Sequence, residues 1–137
     1  MGEVRVKVKL TNTADAAAAA AGKMAADSVR TVEADALVDT GAVRSCIPAS
    51  LLERLGIQPV EKIVVQYADG RKEAVGLAEA IRFEIMHRRS SDDALVLRDE
   101  VLIGQTLLEK MDLFVDCAGQ RLIPNPAHPD FAVNKLK

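Results

Sequence analysis

Aromatic residues and cysteines are both scarce in this sequence of 137 residues. Aromatics make up 3%, with no Trp, so the core must be built from the Val, Leu, Ile and Ala that dominate the 49% hydrophobic fraction. The two cysteines, Cys46 and Cys117, are too few and too far apart for a disulfide framework. No Cys-x-x-Cys pair or His/Cys/Asp cluster indicates a metal, and nothing indicates a cofactor. We expect both cysteines to be buried free thiols in a reducing compartment.

Long apolar runs and an excess of charge of one sign are also missing. The net charge is -2, and no basic stripe carries interleaved aromatics, so nucleic acid is not expected as a partner. No run is long enough to cross a bilayer, and the start of the chain lacks the apolar segment of a signal peptide. We therefore expect a cytoplasmic protein with no membrane partner.

The length predicts a single domain over residues 1–137. Within it, residues 14–28 form an alanine-rich insertion between two strands. Because the stretch Ala14–Asp27 lacks large apolar anchors, a mobile insertion is the favoured interpretation, and a short helix is the alternative. Residues 124–137 form a proline-rich segment, and its prolines exclude a regular helix or a central strand there.

Most of the remaining sequence shows strand patterns, starting with the alternation from Val4 to Leu10. Asp69–Gly70 predicts a hairpin turn followed by a long return strand, whose apolar face is interrupted only by Glu79. The stretch His87–Asp93 is polar and is expected to be a loop. The other predicted strands are 29–38, 63–67, 94–97, 101–103, 113–115 and 121–123. Two short helices are expected, at 48–55 and 106–111. This pattern predicts a mainly β fold that closes into a barrel.

The most informative motif is an apolar strand that ends on Asp39, followed by Thr40 and Gly41. A carboxylate at the end of a buried strand is costly unless it is hydrogen-bonded or functional. Thr40 offers a hydroxyl to fix the local backbone, and Gly41 allows other backbone to approach closely. An Asp-Thr-Gly tripeptide alone is more often a simple turn, so its context decides its meaning.

That context resembles the retropepsin-like aspartic proteases, including their single-domain bacterial relatives. The matching motifs are A-L-V-D-T-G-A at 36–42, I-P-x-x-L-L at 47–52 and V-L-I-G-x-x-L-L at 101–108. The resemblance covers about residues 32–126 and implies a closed retropepsin-like β-barrel. It also implies that the chain is an aspartic endopeptidase.

The resemblance assigns a role to each matching position. Asp39 would be catalytic, Thr40 would hold the two loops of a dimer together, and Gly41 would lie against the substrate backbone. Ala42 and Leu102 would contact substrate, Leu102 lining an apolar pocket. The flap hairpin centred on Asp69 and Gly70 would close over the substrate. Its only nearby glycines are Gly70 and Gly76, so it differs from a glycine-rich flap.

Two positions depart from the viral pattern. Viral enzymes commonly carry an Asp after D-T-G-A and an Arg after the later I-I-G, and these form an ion pair near the dimer interface. Here the positions are Val43 and Gln105. Because both charged partners are missing together, no unpaired charge remains, and a different interface is expected rather than an inactive site.

The chemistry requires two carboxylates, one to accept a proton from water and one to donate a proton to the substrate carbonyl. Two adjacent carboxylates share one proton because both cannot easily ionise. The sequence contains one D-T-G, so the second Asp39 must come from a second copy related by a twofold axis. We therefore predict a homodimer that cleaves peptide or protein substrates.

Other functions fit the sequence less well. A cysteine hydrolase would need a histidine near Cys46 or Cys117, but His87 lies in a charged stretch and His128 in the proline-rich segment. Tyr67 invites comparison with a flap tyrosine, although a single strand tyrosine is usually a packing residue. The main alternative is a catalytically silent dimer of the same fold that binds peptides or partner proteins.

Overall fold

A computed structural model describes residues 2–136, so Met1 and Lys137, the ends of the predicted domain, lie outside the described residues. The strands are β1 (Val4–Asn12), β2 (Thr31–Val38), β3 (Cys46–Ile47), β4 (Glu61–Gln66), β5 (Lys72–Ile85), β6 (Arg88–Val96), β7 (Val101–Ile103), β8 (Leu113–Asp116) and β9 (Arg121–Pro124). The helices are α1 (Thr13–Ala20), α2 (Ala49–Arg54) and α3 (Gln105–Met111), with a short 3₁₀ turn at Ala26–Ser28. No helix in this part of the chain is both long and apolar enough to cross a bilayer.

The strands form a closed six-stranded barrel, which confirms the predicted fold. Neighbouring strands follow the order β1-β2-β7-β3-β6-β5, and β1 also pairs with β5 to close the ring. Strand β4 extends the sheet beyond β5 as the outer strand of a hairpin, and β8 and β9 form a separate two-stranded sheet. The pairs β2–β7 and β3–β6 are parallel, and the other barrel pairs are antiparallel.

The barrel interior is built from aliphatic side chains, as the composition requires. Val8 and Leu10 of β1 point inward and are almost fully buried, whereas Lys7 and Lys9 are exposed, so the predicted alternation is confirmed. Phe83 is the largest of the fully buried side chains. Helix α3 closes the core with Leu107, Leu108 and Met111.

A β-bulge divides β5 into two halves, and side chains at odd-numbered positions point to opposite faces of the sheet before and after it. The pairing with β6 shifts register between Ala78 and Ile81, and Ala80 adopts a left-handed conformation with φ 58°. Before the bulge, Val75 and Leu77 join a second apolar cluster outside the barrel; after it, odd-numbered residues such as Ile81 join the barrel core. The expectation of one continuous apolar face along this strand was therefore wrong.

In the polar stretch His87–Asp93, the residues from Arg88 onward form a strand and not the expected loop. Met86 and His87 form a two-residue turn with φ 52° and 67°, which suits the twist of a tight hairpin although neither is glycine. Strand β6 then runs from Arg88 to Val96 beside β5. Backbone pairing holds this segment, and its polar side chains are exposed or half-buried except for the buried Arg88, so hydrophobic periodicity gave no signal.

The first half of the alanine-rich stretch, up to Ala20, forms helix α1, whereas a mobile insertion was the favoured interpretation; the second half contains turns and the 3₁₀ turn Ala26–Ser28. The Asn12 side chain caps α1 by accepting a hydrogen bond from the Asp15 amide at 3.0 Å. Asp15 is the one buried residue of α1, and its carboxylate accepts bonds from Arg30 Nε at 2.8 Å and Nη2 at 3.0 Å. Polar anchors thus replace the missing apolar ones, and the helix alternative is confirmed.

Candidate active site

Asp39 lies directly after β2, at the edge where β2 and β7 run parallel. Its amide donates to the Ile103 carbonyl at 2.9 Å, which continues the pairing by one residue. Its carboxylate Oδ1 accepts from the Gly41 amide at 2.9 Å, and its carbonyl accepts from the Ala42 amide at 3.2 Å. These bonds form a tight turn that leaves Asp39, Thr40 and Gly41 exposed to solvent.

The first turn of α3 fixes the loop that follows Asp39. The amides of Gln105 and Thr106 donate to the carbonyls of Ala42 at 2.7 Å and Val43 at 3.2 Å. These amides belong to the start of a helix, where no intrahelical carbonyl is available to them. The D-T-G loop therefore supplies the acceptors that the helix lacks, and the helix holds the loop in place.

Gly104 allows the first turn of α3 to approach the loop this closely, because a side chain at position 104 would not fit against the loop backbone. A Cβ at this position would lie 2.7 Å from the Arg44 carbonyl carbon. The Gly104 amide also donates to Oγ of Ser45, a fully buried side chain, at 3.0 Å. In the sequence, Gly104 stands out only as part of the V-L-I-G motif, and no periodic pattern marks Ser45.

Leu102 lies beside the D-T-G loop in the second apolar cluster. It pairs with Cys46 across β7 and β3 and is 2% exposed. Ala42 packs against the same cluster, so the structure brings these two predicted substrate-binding residues together. The hairpin of β4 and β5 covers the cluster with Ile63 and Val65, which leaves Leu102 buried in the single chain.

The predicted turn at Asp69 and Gly70 forms the tip of that hairpin. Gly70 has φ 88°, and its amide donates to the Tyr67 carbonyl at 2.9 Å; Asp69 Oδ1 accepts from the Arg71 amide at 2.9 Å. Tyr67 donates its hydroxyl to Glu73, and this bond, followed by burial, raises the Tyr67 pKa. The Arg71 guanidinium lies 4.4 Å from the centre of the tyrosine ring. The hydrogen bonds of this tip therefore lie within the hairpin.

An open cleft of about 370 Å³ borders Asp39 and Thr40 and is lined on the same side by Leu37 and Val38 of β2. Its other wall is formed by Val115, Cys117 and Gln120 of the β8–β9 hairpin and by residues 2–4. Nothing in the sequence predicted that the β8–β9 hairpin lies next to Asp39, because the two segments are about eighty residues apart and share no motif.

The two cysteines differ in exposure. Cys46 is buried under the hairpin, as expected, and burial is the main cause that raises the pKa of its thiol. Cys117 is exposed, so the expectation that it is buried was wrong. Cys117 lies in the turn between β8 and β9, at the protein surface, so its side chain does not pack against the core.

Three other aspartates form ion pairs of their own. Asp92 pairs with Lys110 at 3.2 Å, Asp93 with Arg44 at 3.1 Å, and Asp116 with Arg121 at 3.1 Å. Each of these contacts lies outside the D-T-G turn. Among residues 2–136, no three His, Cys, Asp or Glu side chains come together as a metal site.

Comparisons with known proteins give a family match and similar solved structures. Residues 25–110, more than half of the chain, match the family described as "gag-polyprotein putative aspartyl protease". The retroviral protease-like domain of Ddi1 from Leishmania major has a TM-score of 0.55 at 15% identity, with 91% of this chain and 86% of that chain covered. The protease of Simian Foamy Virus (mac) has a TM-score of 0.49 at 15% identity, with coverages of 76% and 90%. The chain has no match among curated proteins.

Proposed function

Because this chain belongs to the gag-polyprotein aspartyl protease family and has a retropepsin-like fold, we propose that it is an aspartic endopeptidase. The main support for this proposal is the position of Asp39. Its side chain is exposed at the end of β2, and hydrogen bonds with the Gly41 amide and the Ile103 carbonyl hold the residue in a turn. One chain supplies one such carboxylate. We propose that a homodimer places two copies of Asp39 together on its twofold axis.

In this dimer the two Asp39 carboxyl groups would share one proton. The ionised carboxylate would take a proton from a water molecule as that water attacks the peptide carbonyl, and the protonated partner would donate its proton to the carbonyl oxygen. The Gly41 amide already holds Oδ1, which restricts rotation of the carboxylate. Thr40 would bond across the twofold axis, and Gly41 would leave room for the substrate backbone.

The second apolar cluster would bind substrate side chains. Ala42 and Leu102 contribute to it next to the D-T-G turn, whereas Ile63 and Val65 cover it from the hairpin. Since Leu102 is buried in the single chain, the hairpin must move outward before a side chain enters. An apolar side chain would replace the hairpin contacts without leaving a polar group unpaired, so substrates with apolar residues at the scissile bond are favoured.

The two departures from the viral pattern are compatible with this site. Val43 and Gln105 lack the charges of an ion pair, but the Gln105 and Thr106 amides bond to the loop directly. The backbone of α3 thus supports the D-T-G loop in a way that needs no charged side chain.

The test is cleavage of a diverse peptide library by wild type and by Asp39→Asn, with dimerisation measured for both. We expect wild type to cut next to apolar residues and Asp39→Asn to lose turnover, because an amide keeps the shape but cannot exchange the proton. Equal cutting by both proteins would place the activity elsewhere. Binding of peptides without cleavage by wild type would favour the alternative, a catalytically silent peptide-binding dimer.

A further inference from the structure

A buried carboxylate lies at the end of α3 opposite the D-T-G loop. Asp112 follows the helix with φ 56° and is 9% exposed. Its carboxylate accepts from Asn125 Nδ2 at 2.8 Å and from the Val133 amide at 3.1 Å, and it contacts His128 Nδ1 at 2.6 Å. These three partners all belong to the proline-rich segment, so one carboxylate binds that segment at three points.

A buried guanidinium completes this arrangement. Arg88, at the start of β6, is 7% exposed and donates to the carbonyls of Met111 at 3.1 Å and Asp112 at 2.7 Å. It also donates to the His128 carbonyl. Arg88 therefore joins the barrel, the end of α3 and the proline-rich segment, and with Asp112, Asn125 and His128 it is called the latch below.

The latch is the main attachment of residues 125–136. None of the side chains in this range is buried, and the apolar Phe131 and Leu136 are 69% and 95% exposed. Hydrophobic burial therefore contributes little to holding the segment in place. Charge-assisted hydrogen bonds to a desolvated carboxylate are strong enough to replace it.

Helix α3 connects the latch to the proposed active site. It has seven residues and is roughly 10 Å long, since an α-helix rises about 1.5 Å per residue. Its last residues contact Arg88, and the amides of Gln105 and Thr106 in its first turn hold the Ala42 and Val43 carbonyls. Residues 133–135 and Gln105 border one cleft, so the proline-rich segment returns along α3 toward the loop.

We propose that the latch positions α3 and, through its first turn, the D-T-G loop, which makes Arg88 and Asp112 positioning residues for catalysis. The link to catalysis rests on the proposed peptidase function, whereas the link to the loop is a property of the fold. The core contacts of Leu107, Leu108 and Met111 locate α3 in the barrel. The latch then fixes its rotation and its shift along its axis, on which the short bonds to Ala42 and Val43 depend.

The variant that tests this is Asp112→Asn, which keeps the shape of the side chain but removes the charge. The matched control is Asp15→Asn, which removes the other buried aspartate. Asp15 is 4% exposed, pairs with an arginine and anchors α1, which likewise has no buried apolar side chain. Hydrogen exchange of single amides is measured by NMR in both variants, and kcat and KM are measured on a cleaved peptide.

For Asp112→Asn we expect the Gln105 and Thr106 amides to exchange about tenfold faster, the scale of a local opening made easier by losing one buried contact. We also expect kcat to fall with KM nearly unchanged, because a misplaced loop affects the reaction more than binding. Asp15→Asn should leave both amides and kcat at wild-type values. Faster exchange at Val133 alone, with Gln105 and Thr106 unchanged, would overturn the proposal.

Two further outcomes are separated by design. If Asp112→Asn does not fold, His128→Ala removes one contact of the latch and keeps Arg88 bound to α3; unchanged exchange at Gln105 and Thr106 in that variant would also overturn the proposal. If wild type cleaves no peptide while Asp112→Asn still speeds exchange at both amides, the proposed peptidase function fails and the positioning of the loop stands.

Discussion

Gly104 and Arg44 are in backbone contact, and the space between them has no room for a methyl group. A Cβ on Gly104 would lie 2.7 Å from both the carbonyl carbon and the oxygen of Arg44. The backbone of Gly104 is extended, with φ -91°, so the glycine is required by space and not by conformation. This contact allows the first turn of α3 to reach the D-T-G loop.

Gly104→Ala is therefore expected to displace the loop. We predict a loss of about 1–3 kcal/mol in unfolding free energy, the usual range for overpacking, and a larger relative loss of peptidase activity. Chemical denaturation and peptide cleavage measure the two effects. Gly76→Ala is the control, since its Cβ would meet the Pro59 side chain at 3.2 Å, a milder contact. Similar losses in both variants would contradict the special role of Gly104.

Peptidase activity should have a bell-shaped dependence on pH with its optimum on the acid side. As the pH rises, the shared proton of the Asp39 pair is lost and the general acid disappears; as the pH falls, both groups are protonated and the general base disappears. The two limbs describe the pair and not one residue. Cleavage rates between about pH 3 and pH 8 cover the range in which such pairs act. A rate that rises steadily to the alkaline end would contradict the mechanism.

Sedimentation at micromolar concentration should give about twice the 14.7 kDa mass of one chain. The reason is that one chain carries one D-T-G, so an active site needs two. Asp39→Asn should sediment in the same way, because the amide keeps the contacts of the loop. A strict monomer at high concentration would remove the shared site.

The Asp112 carboxylate should contribute to stability in acid. Its pKa is lowered to about 2, chiefly by the hydrogen bond from Asn125, so the folded state keeps it ionised at pH values where the unfolded chain is protonated. The contribution is therefore complete above about pH 4, the ordinary range of an aspartate, and is lost as the pH falls toward about 2. Thermal melts of wild type and Asp112→Asn should differ most near neutral pH and converge in strong acid. A constant difference would show that the charge of Asp112 is not responsible.

The alanine-rich helix should matter for stability through Asp15 and not through its alanines. Replacing residues 17–27 with a short Gly/Ser connection, while keeping Asn12, Asp15 and Arg30, should leave Tm nearly unchanged, because loop length has a weak entropic effect. Asp15→Ala should lower Tm clearly, since it leaves Arg30 without its bidentate partner. If the replacement lowers Tm as much as Asp15→Ala does, the alanines contribute packing of their own.

Sequence patterns predicted the parts of this fold that depend on periodic burial. The alternation of β1, the hairpin around Gly70 and the end of α2 before Gly56 all follow from local rules, and Gly56 has the positive φ, 70°, that is typical of a residue just after a helix. The D-T-G turn was located because its residues are adjacent in sequence. Its neighbours Cys117 and Gln120 come from a distant segment, and Ser45, although close in sequence, has no local signature.

The errors fall where backbone or polar contacts decide the structure. Strand β6 is held by pairing with β5, and its buried Arg88 binds carbonyl groups that no composition reveals. Helix α1 depends on Asp15 and Arg30, which are fifteen residues apart. The β5 bulge depends on Ala80, a residue type that gives no warning of a left-handed conformation.

That bulge has a consequence for how this chain can evolve. Val75 and Leu77 face the apolar cluster beside the D-T-G turn, whereas Ile81 and Phe83 face the barrel core. The extra residue of the bulge lets the apolar side chains of each half point to the side where they are buried. Gain or loss of one residue between Leu77 and Ile81 would move the apolar side chains of one half to the opposite face of the sheet. Substitution of the exposed Glu79 leaves the phase unchanged. Related chains should therefore vary freely in residue type at position 79 while conserving the number of residues across the bulge.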